Sequence, residues 1–505
     1  MKTKLFYIIL FSIAISSANA QIATDALNYS QTFNGGTARF VSMGGAFGAL
    51  GGDFSSLSYN PAGLGIFRSS EFTITPSFKS RNVNSDYNGS SGEDTRNRLN
   101  FDNLGFVLSF KPYKERESGL ISFNLGFGYN RTNDYYTYSY IKGSNSNSMM
   151  DYFAANAYGY NYNDLTPDDT YNPFNELGTN AWESIMAWNT YLINPLSATE
   201  YEAALNAEDG VFQSNSISKT GGSGEYVFSF GTNFSNKLFI GATLGITSID
   251  YTYSATYQED AFASNDTIFN GDRFNNFKYR QTYETKGTGY NLKLGAIYKL
   301  EGLRLGLAVH TPTYYNLEDT YSSSMSSDFL DGTAESYTPN GNYEYHLETP
   351  FKTIASIAYV YKDLGLISLD VEHINYSSMR FRDGGDGYDY TTENDDINNA
   401  FKNVNNIKLG VEYRVKDVFL RGGYAFYPSP YKSGYLNKDA NRSLISGGIG
   451  YRSGNFFIDA AYQYSIQKEK YIFYDLRNPD GSLAVNPVST KTTEGKLLVT
   501  MGFKF

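Results

Sequence analysis

The sequence predicts an all-β protein: a transmembrane antiparallel barrel of about 14 strands, with an N-terminal segment in its lumen and a helical extracellular insertion. Three observations carry this. Apolar and polar residues alternate with period two in runs along the whole chain. The composition holds Tyr 46, Phe 36 and Gly 48 with Cys 0 and 18% charged residues, which suits many twisted strands with aromatic girdles and no disulfides. Short turns and long polar segments then alternate between the runs, as in barrels whose short turns face the periplasm.

In chain order, Met1-Lys2-Thr3-Lys4 is basic, Leu5 to Ile15 is apolar, and Ala18-Asn19-Ala20 ends in an Ala-x-Ala cleavage site. Residues 1–20 therefore predict a signal peptide with Gln21 as the mature start. The apolar stretch is short of the roughly 20 residues a spanning helix needs; an uncleaved anchor is the alternative. No Cys follows the cleavage site, which excludes a lipoprotein. Mean hydropathy is −0.42, and no later apolar run reaches helical spanning length. A chain of 505 residues ordinarily divides into domains, but no linker-like shift in composition occurs.

Residues 21–70 do not alternate. Phe40 to Asp53 is rich in Gly and Ala, and Ser55 to Gly65 contains Asn60-Pro61-Ala62-Gly63. Small residues let backbone pack against backbone, so this segment is expected to fold back into the bore as a plug, or hatch. Such a bore would otherwise hold water.

Residues 71–505 make the barrel. Its runs are Phe72–Phe78, Phe106–Phe110, Ile121–Tyr129, Tyr226–Phe230, Leu238–Ile246, Tyr290–Tyr298, Leu303–Val309, Ile354–Tyr361, Ile367–Val371, Ile407–Tyr413, Val418–Phe426, Ile445–Tyr451, Phe456–Tyr464 and the closing Gly495–Phe505. Short connections fall at Lys237, Glu301-Gly302, Lys362 to Gly365, Lys416-Asp417 and Ser453 to Asn455. Arg81–Asn97, Ala255–Asn276, Asn316–Asn342 and Asp383–Asn403 read as long polar loops. Between Lys142 and Gly224 lie helix-like stretches at Ser148–Tyr158, Asn175–Leu192 and Ser197–Asn206. Trp182, Ile185, Met186, Trp188, Asn189 and Leu192 share one side of the middle stretch, giving either a lid on the rim or a surface that captures an apolar ligand.

The motif Asp53-x-Ser55-x-x-x-x-Asn60-Pro61-Ala62-Gly63-Leu64 follows a Gly-rich run and leads into the first strand. It resembles the hatch of the FadL/TodX family of outer-membrane channels for long-chain fatty acids and aromatic hydrocarbons. Strand tally, length and the terminal Phe505 agree with that family. The resemblance implies a monomer of fourteen strands, with Asn60, Pro61, Ala62 and Gly63 in the hatch and lateral release of an apolar ligand at a kinked third strand. Gly126 and Gly128 are the expected kink, because Gly permits a bend. The insertion departs from the better-known members, and no acid-binding residue carries over by motif. An acyl chain gains about 0.8 kcal/mol per buried CH₂, so a path into the bilayer independently avoids its release into water.

Inward positions carry both signs: Lys293, Arg304, Asp370, Glu372, Lys408, Glu412, Arg421 and Asp459. They are expected to form ladders against the hatch, with Arg304 and Arg421 as candidates for a carboxylate head group. His310, His346 and His373 have no zinc spacing. Asp383 to Asp389 resembles a cation loop only loosely, and neither a phosphate loop nor a nucleophile elbow occurs. No cofactor, metal or catalysis is expected. The net charge of −11 argues against nucleic acid. Expected partners are a hydrophobic small molecule, outer-membrane lipid and the barrel-assembly machinery, at the cell outer membrane. The rival reading is an outer-membrane receptor that binds haem or another apolar ligand without translocating it.

Overall fold

A computed structural model describes residues 17–33, 35–112, 118–205, 210–262, 268–269, 272–382 and 387–505. Residues 1–16 of the expected signal peptide and the acidic start of the Asp383 loop lie outside the described residues.

Fourteen antiparallel strands form a closed barrel. They are β1 (Glu71–Tyr87), β2 (Ser90–Phe110), β3 (Leu120–Asp134), β4 (Val211–Phe234), β5 (Leu238–Ala261), β6 (Asp272–Leu300) and β7 (Leu303–His310). The circuit continues with β8 (Lys352–Tyr361), β9 (Gly365–Asn375), β10 (Asn403–Val415), β11 (Val418–Tyr427), β12 (Arg442–Ser453), β13 (Phe456–Tyr471) and β14 (Val488–Lys504). β1 pairs with β14 from Glu71↔Lys504 to Asp86↔Ser489, so closure leaves no edge to aggregate.

The alternation sets which face is which. On β6, Tyr290, Leu292, Leu294 and Tyr298 are exposed outward while Asn291, Lys293 and Ile297 are buried inward. On β10, Ile407, Leu409, Val411 and Tyr413 point out, and Asn406, Lys408 and Glu412 point in. On β14, Leu497, Met501 and Phe503 are outward and Lys496 and Thr500 inward. In water each such exposed large apolar side chain would forgo roughly 1.5–3 kcal/mol; hydrocarbon is the solvent this surface fits.

All fourteen alternating runs lie in these strands, but the strands are taller than the runs. Arg81–Asn97 is no loop: β1 and β2 continue through it to a turn at Asn88-Gly89, with φ of 49° and 80°, the Asn-Gly pair that a two-residue hairpin favours. Asn316–Asn342 likewise carries the strands Tyr314–Phe329 and Gly332–Tyr337, and Ala255–Asn276 lies largely in β5 and β6. These extensions stand in solvent beyond the bilayer, so their outward positions are polar and period two fades.

The insertion also differs from expectation. Ser148 caps the helix Met149–Ala157, with Asp151 closing a capping box. The stretch expected at Asn175–Leu192 is broken into the end of a short helix at Pro173–Glu176, a 3₁₀ turn at Thr179–Ala181 and a helix over Trp182–Asn189. Of the stretch expected as helical at Ser197–Asn206, the described residues 197–205 form no helix: Ile193–Pro195 and Tyr201–Ala203 pair as a small hairpin, and Asn206 lies outside the described residues. Ile185, Met186 and Leu192 are fully buried, with Trp182 and Trp188 packed beside them. Phe153 meets Phe277 and Tyr279 of β6 edge-on, so this apolar side is spent on the barrel rim.

Candidate functional site

The lumen is filled by the N-terminal segment. Thr37 caps the short helix Ala38–Ser42 by accepting the Phe40 N–H. Asp53 accepts the Thr37 hydroxyl at 2.6 Å, and Ser55 Oγ accepts the Thr37 N–H at 2.8 Å, which explains the Asp-x-Ser spacing. Asn60 caps the 3₁₀ turn Pro61–Ile66 through Ala62 N–H at 3.1 Å. Its Nδ2 donates to the Gly48 carbonyl at 2.5 Å. Pro61 stands at the first helical position, where its missing N–H costs nothing. Gly63 faces the Gly51 backbone, and a Cβ there would come within 2.8 Å of Gly51 Cα. Asn60, Pro61, Ala62 and Gly63 are all buried.

Glycines of the wall receive this segment. A Cβ on Gly410 would lie 2.6 Å from the Met43 carbonyl oxygen, and one on Gly448 would lie 2.6 Å from Ser42 Cβ. Gly241 and Gly295 similarly hold Pro61 and Asn60, Gly306 holds Gly48, Gly423 holds Gly44, and Gly105 holds Phe54. Gly126 and Gly128 belong to the same set, lying under Leu57 and Phe54. The β2–β3 ladder runs unshifted through both, and β3 shifts register against β4 only between Leu120/Ser122 and Arg131/Asn133. Sequence reasoning missed these sockets, although their signal was present as Gly at inward positions of otherwise alternating strands.

Hydrogen bonds complete the seat. Gly48 N–H donates to Asp370 at 2.8 Å, Thr243 Oγ1 to the Leu57 carbonyl at 2.9 Å, and Asn124 Nδ2 to the Leu64 carbonyl at 2.6 Å. His310 Nε2 lies 2.8 Å from the Tyr59 carbonyl oxygen. Arg39 forms a bidentate pair with Glu412 at 2.9 and 3.0 Å.

The inward charges form the expected ladders. Arg421 bonds Glu412 and Asp459, both at 2.6 Å, and Arg452 meets Asp459 at 2.9 Å. Glu372 takes Lys408 at 3.3 Å and Lys352 at 3.8 Å; Lys293 pairs with Glu225, and Lys496 with Asp102. Of the two head-group candidates, Arg421 is therefore committed to two carboxylates. Arg304 makes one bond, to the Leu50 carbonyl at 2.9 Å, and its buried Nε has no partner. His373 lies 2.8 Å from Asn405, and among the described residues no group of His, Asp and Glu is arranged to hold a metal.

Beside the hatch a cavity of about 30 Å³ is lined by Phe33, Phe40, Val41 and Leu444 and by the cations Lys79, Arg81, Arg131, Lys408, Arg442 and Lys496, with Asp134 and Glu494 opposite. That is room for a water or two, not for an acyl chain.

Towards the extracellular end, α1 (Ser17–Ser30) packs on the helix Thr391–Ala400. Tyr29 sits edge-on to Tyr135 and Tyr251. Burial and the charge of Asp319, partly offset by Lys219 and a hydrogen bond from Tyr283, push the half-buried Asp25 carboxyl up to about 8.

Solved structures share this architecture. A Pseudomonas aeruginosa FadL homologue superposes with a TM-score of 0.55 at 12% identity, over 94% of this chain and 100% of that one. The Pseudomonas putida toluene transporter TodX gives 0.53 at 12% identity, over 93% and 99%. At such identities the likeness establishes the fold alone. No curated protein sequence matches. The family described as outer membrane protein transport protein (OMPP1/FadL/TodX) matches residues 225–505, more than half of a chain whose strands, closure and filled bore agree with it, and the protein belongs to that family.

Proposed function

We propose that the protein is a passive outer-membrane channel, monomeric after removal of residues 1–20, that takes up hydrophobic small molecules, long-chain fatty acids foremost. The observation that carries this reading is a lipid-facing barrel whose bore is closed by its own N-terminal segment, seated on glycines, polar groups and small apolar clusters. A polar-solute porin needs open water, whereas Phe40, Phe47, Phe54, Leu57, Tyr59 and Leu64 are buried in this bore. Family membership and the toluene transporter's shared fold support an apolar cargo. Residues 21–70 would act as the hatch, with residues 37–67 moving as a unit to let the ligand pass.

Release would be lateral, into the bilayer, for the reason of acyl-chain hydration given above. Gly126 and Gly128 remain the proposed site; there Leu57 and Phe54 would have to leave the wall before β3 could open. Arg304 is the better head-group candidate, because it bonds only the Leu50 carbonyl whereas Arg421 is held by the carboxylates of Glu412 and Asp459. Against the haem receptor, His310 is turned to the Tyr59 carbonyl and His373 to Asn405.

The test is uptake into proteoliposomes of labelled oleate and toluene against a polar control such as glucose. Uptake of oleate or toluene above protein-free vesicles, without glucose, is the expected result; folded protein that moves neither apolar probe defeats the proposal. Arg304→Ala weakening oleate binding about tenfold, with Arg421→Ala measured beside it, assigns the head group; unchanged affinity in Arg304→Ala removes that assignment.

A further inference from the structure

The wall breaks at one level in three neighbouring strands. β7 stops at His310 and resumes as Tyr314–Phe329 after Thr311, Pro312 and Thr313. Below β8's start at Lys352, the strand Gly341–Glu348 is separated from it by Thr349, Pro350 and Phe351. β9 ends at Asn375, and the turn Tyr376–Ser378 intervenes before Arg380–Arg382. The breaks align: His310 faces Lys352 and Lys352 faces Ile374 on one side, while Tyr314 faces Glu348 and Glu348 faces Arg380 on the other. Proline has no N–H for the ladder, and threonines repair part of the loss. Thr311 Oγ1 accepts the Leu292 N–H at 3.0 Å, and Thr349 Oγ1 accepts the Thr313 N–H at 2.8 Å.

Next to this seam a cavity of about 470 Å³ opens on the outer face of the wall, bordered by Ile246, Tyr290, Tyr314, His346, Glu348 and Arg382. Its size is that of a small-molecule site. Its level follows from β6: on one side of Tyr290 the outward residues are Leu292, Leu294 and Tyr298, and on the other they are Thr288, Lys286 and Glu284. The groove thus lies at the extracellular edge of the apolar band, where tyrosines mark the membrane interface. One end is apolar, with the Tyr290 and Tyr314 rings 5.9 Å apart; the other carries the Arg382–Glu348 ion pair at 2.8 Å.

We propose that this groove binds a lipid of the outer leaflet, its acyl chain against Ile246, Tyr290 and Tyr314 and its polar head on the Arg382–Glu348 pair. The groove is continuous with the lipid-facing surface, so acyl chains border it already, and leaving it empty would forfeit their dispersion contacts. Arg382 pairs at the level of His346, Asn316 and Thr288, one step further from the apolar band than Tyr290, Tyr314 and Glu348, the side on which an outer-leaflet lipid carries its head. The inference rests on the outer-membrane placement, not on transport through the lumen.

Native mass spectrometry of the detergent-released barrel, after incubation with lipid A, tests it. Wild type is expected to retain one lipid A. Ile246→Trp, which fills the groove, and Arg382→Ala are each expected to lower retention about fivefold. Leu409→Trp, on the same apolar band away from the groove, should retain the wild-type amount. Heat-modifiable gel mobility checks that each barrel is folded, and Arg382→Ala carries the test if the larger residue prevents folding. No retention by wild type, or equal retention by wild type, Ile246→Trp and Arg382→Ala, overturns the site. Oleate uptake measured in parallel keeps the readings apart: lipid retention without uptake sinks the channel and leaves the groove, and the reverse sinks only the groove.

Discussion

The two halves of the lumen both hold parts of the N-terminal segment, and the balance of polar and apolar contact differs between them. Towards the periplasm, residues 37–67 turn their rings on one another: Phe40 packs on Phe47 and Tyr59 at centroid distances of 5.4 and 5.8 Å. To the wall they offer backbone, hydroxyl and charge, received by Gly410, Gly448, Asp370 and Glu412, together with apolar side chains in smaller clusters, such as Phe54 and Leu57 with Val107 and Val227. Towards the outside, α1 and the insertion meet the strands through Leu27, Tyr29, Phe153 and Met186 in one continuous apolar cluster. A neutral hydrogen bond is worth about 0.5–1.5 kcal/mol net, since water replaces it, whereas apolar area returned to water costs about 25 cal/mol per Å². The periplasmic half, whose apolar contacts with the wall fall in smaller clusters among polar ones, is therefore the half proposed to leave its seat, and the extracellular half, in one large apolar cluster, is a cap whose removal would resemble unfolding.

The sharpest way to break the comparison is to fill a socket. A side chain at Gly241 collides with the Pro61 carbonyl, and one at Gly295 collides with Asn60 Oδ1. Gly241→Leu should therefore unseat the hatch in every molecule, because overpacking against backbone costs several times the roughly 1 kcal/mol of a single seating bond. Planar-bilayer recordings should change from closed to persistently conducting. A barrel that stays closed would mean that the seat deforms and that its glycines are not what fits the hatch.

The extracellular half should answer to a different measurement. Phe153→Ala removes a fully buried ring packed on Phe277 and Tyr279 and should lower stability by about 3–5 kcal/mol. Thermal unfolding in detergent reads that loss, and conductance should stay at the wild-type level. Arg39→Ala should do the reverse. It deletes the bidentate pair with Glu412, which Arg421 continues to satisfy, so the loss is about 1.5–3 kcal/mol. Openings should become roughly tenfold to a hundredfold more frequent, with little change in melting. Matching effects of the two variants on both readouts would erase the distinction between the halves.

Much of this was legible before any coordinates. The outward-inward alternation of β6 or β10 is a direct record of lipid on one side and charge on the other, and Lys408, Glu412 and Arg421 could be placed in the lumen by parity. Parity could not say which partner each charge would meet, because the pairing of Arg39 with Glu412 spans 373 residues of sequence. The tall hairpin of Arg81–Asn97 looks like a loop in sequence because both its faces are polar, although Asn88-Gly89 marks its turn. Ser197–Asn206 has a helical composition, yet Tyr201–Ala203 within it pairs with a strand whose presence no local pattern announces.

The smallest expected effect concerns the joint between the halves. Asp25 of α1 titrates near 8, raised first by burial and next by Asp319, against about 3.9 for an exposed aspartate. Docked α1 therefore holds more protons than released α1 between about pH 4 and 8. Docking is strongest below pH 4, weakens as pH rises through that window, and is constant above it. Protection of the α1 amides from hydrogen exchange should fall between pH 5 and 8 beyond the intrinsic change in exchange rate. Asp25→Asn should flatten that excess while leaving the seat of residues 37–67 unchanged. If the asparagine variant keeps the full pH dependence, the proton sits elsewhere in the cluster, with Asp319 the next carboxylate to replace. If instead the whole hatch loosens with pH, the two halves are coupled, and the cap would be part of the gate.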